Sequence, residues 1–177
     1  MEKHTLEVLI SYDQIIERVK LLAETITKDF EGEELLVVGV LKGAWIFMAD
    51  LVKYIDLPME ISFVSVSSYA GARTTSSGVV RLLCDVDRPV EKRNVILVED
   101  IIDTGLTINY LKRLFSVRNP NSLKICSLLD KPSRRLADIN PDYCGFSIPD
   151  EFVVGYGLDY NGYYRNLKDI SILKINA

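Results

Sequence analysis

Residues 95–107 read VILVEDIIDTGLT, and this stretch decides how the rest of the chain is understood. Val95 to Val98 is an apolar, largely β-branched run that suits a strand buried on both faces of a parallel sheet. The chemistry then changes abruptly. Glu99, Asp100 and Asp103 arrive close together, followed by Thr104, Gly105, Leu106 and Thr107, before helical spacing resumes at Ile108. The order is strand, polar turn, helix start.

The turn holds two separable chemistries. At the carboxyl end of the strand, Glu99 and Asp100 place paired carboxylates in the crevice where open α/β sheets bind ligands, suited to ribose hydroxyls or to a hydrated Mg2+. Residues 103–107 are mostly small or hydroxylated, so backbone N–H groups at the helix start can close around an anion. A helix dipole favours such an anion by about 0.3 to 1 kcal/mol at an exposed site. A sugar carrying a phosphate satisfies both halves. A plain strand ending in a turn and an N-cap would share the pattern, but three crowded carboxylates repel one another unless something binds them.

Working outward, the segments on either side repeat the strand-then-helix theme. Ser11 with Gln14 forms a capping-box pattern ahead of an amphipathic helix running to Phe30, and Thr5 to Ile10 is a candidate short strand. Leu35 to Leu41 is a continuous apolar strand ending at Lys42 and Gly43, where backbone N–H groups and one positive charge can face a phosphate. Ala44 to Tyr54 then reads as a helix. Glu60 to Ser68 alternates as a strand, a polar glycine-bearing segment follows from Tyr69, and Val79 to Cys84 returns. Beyond the central helix, Leu123 to Leu129 is a strand ending in Asp130-Lys131-Pro132, and Phe152 to Leu158 is the last clear one, followed by Asp159 and then Arg165. The alternation predicts a parallel α/β sheet, with the 60–84 hairpin and the 144–158 segment as appendages at its ligand-binding edge.

Composition bounds the function. A chain of 177 residues forms one domain with a single sizeable core, and a net charge of -4 argues against a nonspecific nucleic-acid binder. No apolar run is long enough to span a membrane, and the charged N-terminal stretch does not read as a signal peptide, so a cytoplasmic location is expected. Cys84, Cys126 and Cys144 lack metal-ligand spacing and read as small hydrophobes in a reducing compartment. His4 is given no role.

The central stretch resembles the signature of the type I phosphoribosyltransferases, and the likeness extends over nearly the whole chain to the bacterial hypoxanthine-guanine branch. Its carriers are VLKGAW around Lys42, SSY ending at Tyr69, the central stretch itself, LLDKPSRR around Lys131, and PDEFVVGYGLDY ending at Tyr160. The resemblance implies a type I phosphoribosyltransferase fold: a central, mostly parallel sheet flanked by helices, with a small hood and a flexible hairpin lid. Residues 1–177 would form one such domain, the lid at about 69–78, and the hood from the N-terminal segment and about 143–177. The implied reaction belongs to purine salvage: Mg2+-dependent transfer of the phosphoribosyl group from phosphoribosyl pyrophosphate to hypoxanthine or guanine, giving IMP or GMP and pyrophosphate. A homodimer or homotetramer is implied, with no nucleic-acid or membrane partner.

Carried onto this sequence, the resemblance assigns roles residue by residue. Asp103 is the general base, and Glu99, Asp100, Asp103, Thr104, Gly105, Leu106 and Thr107 bind the phosphoribosyl group. Lys42, Gly43 and Arg165 take the pyrophosphate, with the Leu41–Lys42 peptide cis, and Ser68 and Tyr69 open the lid. Lys131, Phe152, Val153 and Asp159 bind the base, Glu99 and Asp100 serve a hydrated metal, and Asp159 serves a second Mg2+. Lys131 and Arg165 join Asp103 in the catalytic set. The chemistry of each side chain agrees: an ammonium only donates, so Lys131 fits the carbonyl of a 6-oxopurine and opposes the amino group of adenine. Arg73, within the lid segment, carries no assignment.

Three other readings remain open on the sequence. One is a phosphoribosyltransferase for a different base, such as xanthine or a pyrimidine. A second is a nucleic-acid-binding regulator that senses phosphoribosyl pyrophosphate, which the acidic charge opposes. The third is a phospho-acceptor signalling domain, which leaves the Asp-Thr-Gly nest unexplained.

Overall fold

The apolar run at 95–98 lies in the middle of a six-stranded sheet, with helices packed on both faces. The structure is a computed structural model and describes residues 4–68 and 80–175. In chain order its elements are β1 (His4–Ile10), α1 (Tyr12–Asp29), β2 (Leu35–Leu41), α2 (Trp45–Leu51), β3 (Met59–Ser68), β4 (Val80–Cys84), β5 (Asn94–Ile102), α3 (Leu106–Ser116), β6 (Ser122–Asp130), a 3-10 turn (Pro132–Arg134), β7 (Tyr143–Ser147), β8 (Val153–Val154) and β9 (Ile170–Ile175). The large sheet runs β4-β3-β2-β5-β6-β7, and a second sheet runs β1-β9-β8. Every pairing in the large sheet is parallel except β3 with β4.

Why these elements pack is legible residue by residue. Ser11 caps α1 reciprocally: the Gln14 N–H donates to Ser11 Oγ, while Gln14 Oε1 accepts from the Ser11 N–H at 2.9 Å. Ile15, Val19, Leu22 and Ile26 then share the helix face that meets Val37, Ile96 and Val98, with Phe47, Met48 and Leu51 of α2 completing that side. Ile108, Leu111 and Phe115 of α3 cover the opposite face over Val38, Leu97 and Ile125. Each fully buried side chain of this kind contributes about 1.5 to 3 kcal/mol. Since β5 is covered on both faces, it carries no alternating pattern.

Four expectations change. First, β3 pairs in parallel with β2 along its length, so it is an integral sheet strand, and only β4 is the antiparallel return. Second, Tyr143–Ser147, expected within the hood, adds to the large sheet beside β6; Gly145 permits this, because a Cβ there would fall 2.3 Å from the Leu128 carbonyl oxygen. Third, the 152–158 segment forms only the two-residue β8 before turning through left-handed φ at Gly155, Tyr156 and Gly157. Fourth, β9 was not anticipated. It pairs with both β1 and β8, so the small sheet joins the two ends of the described chain. The lid expected at 69–78, with Tyr69 and Arg73, lies outside the described residues; Ser68 closes β3 opposite Val80.

Candidate active site

The site forms at the carboxyl ends of β2, β5 and β6, where a parallel sheet offers unpaired backbone and a crevice. β5 runs four residues past its apolar core, so Glu99 and Asp100 sit within the strand itself, with Glu99 opposite Ser127 of β6. Glu99 is buried, and its Oε2 has no hydrogen-bond partner. Burial, reinforced by the neighbouring Asp100 charge, pushes the Glu99 carboxyl well above the usual carboxylate range. Burial also raises the Asp100 carboxyl, opposed by its bond with Glu99, by the Ile101 N–H at 2.8 Å and by the charge of Arg165. Two carboxylates under this strain call for a cation. Among the described residues no three His, Cys, Asp or Glu side chains converge on one metal position. A partly hydrated Mg2+ fits that arrangement, because it is usually held by one or two carboxylates together with substrate oxygens.

Beyond the carboxylates, β5 gives way to a turn and α3. Glu99, Asp100, Asp103, Thr104, Gly105 and Thr107 line one cleft of ≈ 210 Å³. Gly105 is the N-cap of α3 with φ 78, and a Cβ there would fall 2.7 Å from Ile139. Only glycine meets both demands without strain. The first-turn N–H groups have no carbonyl partner within the helix and face an anion naturally. Behind this nest the Thr104 carbonyl accepts from the Leu136 and Ala137 N–H groups at 2.9 and 3.1 Å, so residues after β6 fix the loop.

The loop after β2 meets the acidic pair directly. The Leu41–Lys42 peptide is cis, as the resemblance implied, and the Lys42 side chain is exposed. Gly43 packs against Asp100, where a Cβ would fall 1.6 Å from Oδ2. Across from it Gly157 comes so close that a Cβ would lie 2.1 Å from the Gly43 carbonyl oxygen. Arg165 Nη1 donates to the Gly157 carbonyl at 2.6 Å, and its Nη2 lies 2.5 Å from Asp159 Oδ1. Asp159 Oδ2 accepts from the Gly162 N–H at 2.7 Å. Asp159 is therefore engaged by Arg165 and its own turn.

The third wall follows β6. Lys131 is buried, its N–H donates to the Ile102 carbonyl of β5 at 2.9 Å, and its Nζ donates to the Glu151 carbonyl at 2.5 Å. An ammonium has three protons to donate, so this bond fixes the side chain and leaves capacity for a ligand carbonyl. Phe152, 52% exposed, stands perpendicular to the Tyr160 ring with centroids 5.7 Å apart. Val153 is buried in β8.

Three groups of residues here were not singled out on the sequence. Arg134 and Arg135, inside the quoted LLDKPSRR, grip Asp103, as described below. Asp50 accepts from the buried Tyr156 hydroxyl at 2.7 Å and anchors the Gly155–Gly157 turn to α2. His4 Nδ1 lies 2.7 Å from the Tyr164 hydroxyl, tying β1 to the segment that carries Arg165. Of these, only the arginine pair gave any signal, as two consecutive positive charges close after Lys131.

A sheet whose central strand ends in an acidic pair and a glycine-capped helix start, beside a loop that carries an arginine, is a layout suited to sugar-phosphate transferases, and the comparisons agree. The phosphoribosyl transferase domain model matches residues 11–161, and the chain belongs to that family. Within it, the chain is 53% identical over 175 residues to the hypoxanthine-guanine phosphoribosyltransferase of Bacillus subtilis, covering 98% of this chain and 97% of that one. It is 51% identical over 174 residues to the enzyme of the same name from Lactococcus lactis, covering 98% and 94%. Among solved structures, a hypoxanthine-guanine phosphoribosyltransferase from Bacillus anthracis superposes with a TM-score of 0.90 at 47% identity, covering 97% of this chain and 99% of that one. A hypoxanthine phosphoribosyltransferase from Staphylococcus aureus gives 0.91 at 48%, covering 95% and 91%.

Proposed function

We propose that this chain transfers the 5-phosphoribosyl group of phosphoribosyl pyrophosphate to hypoxanthine or guanine, forming IMP or GMP and pyrophosphate in purine salvage. The observation that carries the reading is the single cleft in which Glu99, Asp100 and the 103–107 nest lie together, next to the buried Lys131. Each half of the substrate pair then has a wall suited to it.

In this reading the nest of residues 103–107 anchors the 5'-phosphate, and Glu99 and Asp100 hold the ribose hydroxyls. The purine lies against Phe152, its 6-oxygen accepting from Lys131 and its edge meeting the Val153 carbonyl. As N9 bonds to the anomeric carbon, the bond to pyrophosphate breaks and its electron pair leaves with that group. The N7 proton passes to Asp103. Lys42, the Gly43 backbone and Arg165 neutralise the departing charge. Glu99 and Asp100 would hold a hydrated Mg2+ and Asp159 would serve a second, and the metal would supply the remaining neutralisation when bound. The lid, opening at Ser68 and Tyr69, excludes water from a sugar cation that water would trap. One phosphoribosyltransferase domain spans the chain, acts in the cytoplasm and assembles as a homodimer or homotetramer.

The test is nucleotide formation with Mg2+ and phosphoribosyl pyrophosphate, offering hypoxanthine, guanine, xanthine and adenine in parallel. Hypoxanthine and guanine turn over and adenine is refused. Asp103→Asn lowers kcat by about 10²-fold or more, the usual contribution of a general base. Preferred turnover of adenine, or of no purine at all, would overturn the reading.

A further inference from the structure

We propose that Arg134 is a positioning residue for proton transfer, holding the Asp103 carboxylate by one oxygen so that the other faces the purine. The inference rests on the reading of Asp103 as the proton acceptor.

The turn after β6 is built to grip that aspartate. Pro132 opens the 3-10 turn, and the Arg134 N–H donates to the Lys131 carbonyl at 3.1 Å, so the turn is fixed to the residue that reads the base. Arg135 ion-pairs with the buried Asp130, and its Nη1 donates to the Asp103 backbone carbonyl at 3.0 Å. Arg134 takes the other end of the same residue, with Nε 2.8 Å from Asp103 Oδ1. Two consecutive arginines thus hold one aspartate by its main chain and its side chain. On the far side Arg134 Nη1 lies 3.4 Å from Asp150 Oδ1, adjacent to the Glu151 whose carbonyl receives Lys131. The guanidinium spans the gap between the phosphate loop and the hood.

The exposure of Asp103 shows which oxygen remains for chemistry. Its Oδ1 is shut off from solvent and held by the Arg134 charge alone, with no aligned hydrogen bond, while the side chain as a whole is 40% exposed and lines the cleft. The open oxygen is Oδ2. A carboxylate fixed at Oδ1 and at its own main chain keeps Oδ2 in one direction, which is what transfer from a purine N7 within hydrogen-bond reach requires. Asp150 holds the guanidinium from behind and balances its charge. Because the contact is half-exposed, it does little for folding stability, and this separates a positioning role from a structural one.

The experiment is single-turnover nucleotide formation from hypoxanthine by the intact protein and by Arg134→Gln, Arg134→Lys, Asp103→Asn and the Asp103→Asn/Arg134→Gln double variant. Tm and the Kd for phosphoribosyl pyrophosphate are measured alongside. Arg134→Gln lowers the rate about tenfold, with Kd within about twofold and Tm unchanged within error. Arg134→Lys, which keeps the charge but loses the planar fork, recovers part of the loss. In the Asp103→Asn background the arginine substitution has no further effect, because the group it orients is gone. A wild-type rate for Arg134→Gln beside an impaired Asp103→Asn overturns the proposal alone, as does an undiminished Arg134→Gln effect in the double variant. A wild-type rate for Asp103→Asn overturns the proposal together with the reading of Asp103.

Discussion

Lys131 is buried, yet among the described residues it spends one of its three donors on protein, on the Glu151 carbonyl 2.5 Å away. Replacing it by Gln supplies an acceptor as well as a donor, so Lys131→Gln narrows the preference for hypoxanthine over adenine by about tenfold or more, read as the ratio of kcat/KM values for the two bases. Glu99 carries the opposite burden. Its carboxyl is held above its ordinary value by burial and by Asp100, so the folded state binds its proton more tightly than the unfolded state. Stability from this group is therefore full below the ordinary glutamate range and is lost as pH rises toward the elevated folded value. Glu99→Gln removes that loss: the free protein melts higher than wild type at pH 8 and about equally at pH 5, while nucleotide formation falls. Differential scanning calorimetry at the two pH values, with turnover measured in parallel, checks both halves. Asp103 and Lys131 were legible because their residue types stand at a strand's end in a polar run. Arg134 and Arg135 were not, because a pair of arginines after a proline reads as solvated charge until the fold brings Asp103 and Asp130 beside them.

Among the elements, α1 and β5 follow directly from sequence. Ser11 with Gln14 announces the start of α1, and the observed capping box bears it out. Ser11→Ala costs about 0.5 to 2 kcal/mol, lowering Tm by about 2 to 4 °C per kcal/mol with kinetics unchanged. The loop between β2 and α2 behaves differently, because its glycine is needed for space. A methyl at residue 43 would overlap the Asp100 carboxylate. Gly43→Ala therefore destabilises by about 1 to 3 kcal/mol and weakens binding of phosphoribosyl pyrophosphate, measurable by titration calorimetry. Short elements were the least legible. β8 keeps only Val153 and Val154 on a ladder because the glycines after it turn left-handed, and the apolar run FVVGYGL gives no sign of where pairing stops. β9 is six residues whose longer pairing, with β1, lies at the far end of the chain, so no local signal declared it. β3 read as a hairpin arm because its alternation matches a half-exposed strand. Its parallel partner β2 shows only in three dimensions.

At the scale of the whole molecule, two sheets share one active site and meet at a few points. One is Tyr156, buried with φ 48, whose hydroxyl donates to Asp50 of α2. Tyr156→Phe removes a bond to a charged group worth about 1.5 to 3 kcal/mol. It lowers Tm and reduces turnover through Arg165, which donates to the next residue in the same turn; thermal melts and steady-state kinetics together check this. Fold class was legible from strand-helix alternation, and so was a cleft at the end of β5, but the junction between the sheets rests on contacts between residues far apart in sequence. The small sheet carries this furthest. Glu7 and Lys174, which pair across β1 and β9, stand 167 positions apart. As the chain leaves the ribosome, the large sheet through β7 has all its strands available, whereas β1 must wait for β9 before it can pair. The strands that lead to Glu99, Asp100 and Lys131 are thus available early, and the segment that carries Phe152, Asp159 and Arg165 is held in place last.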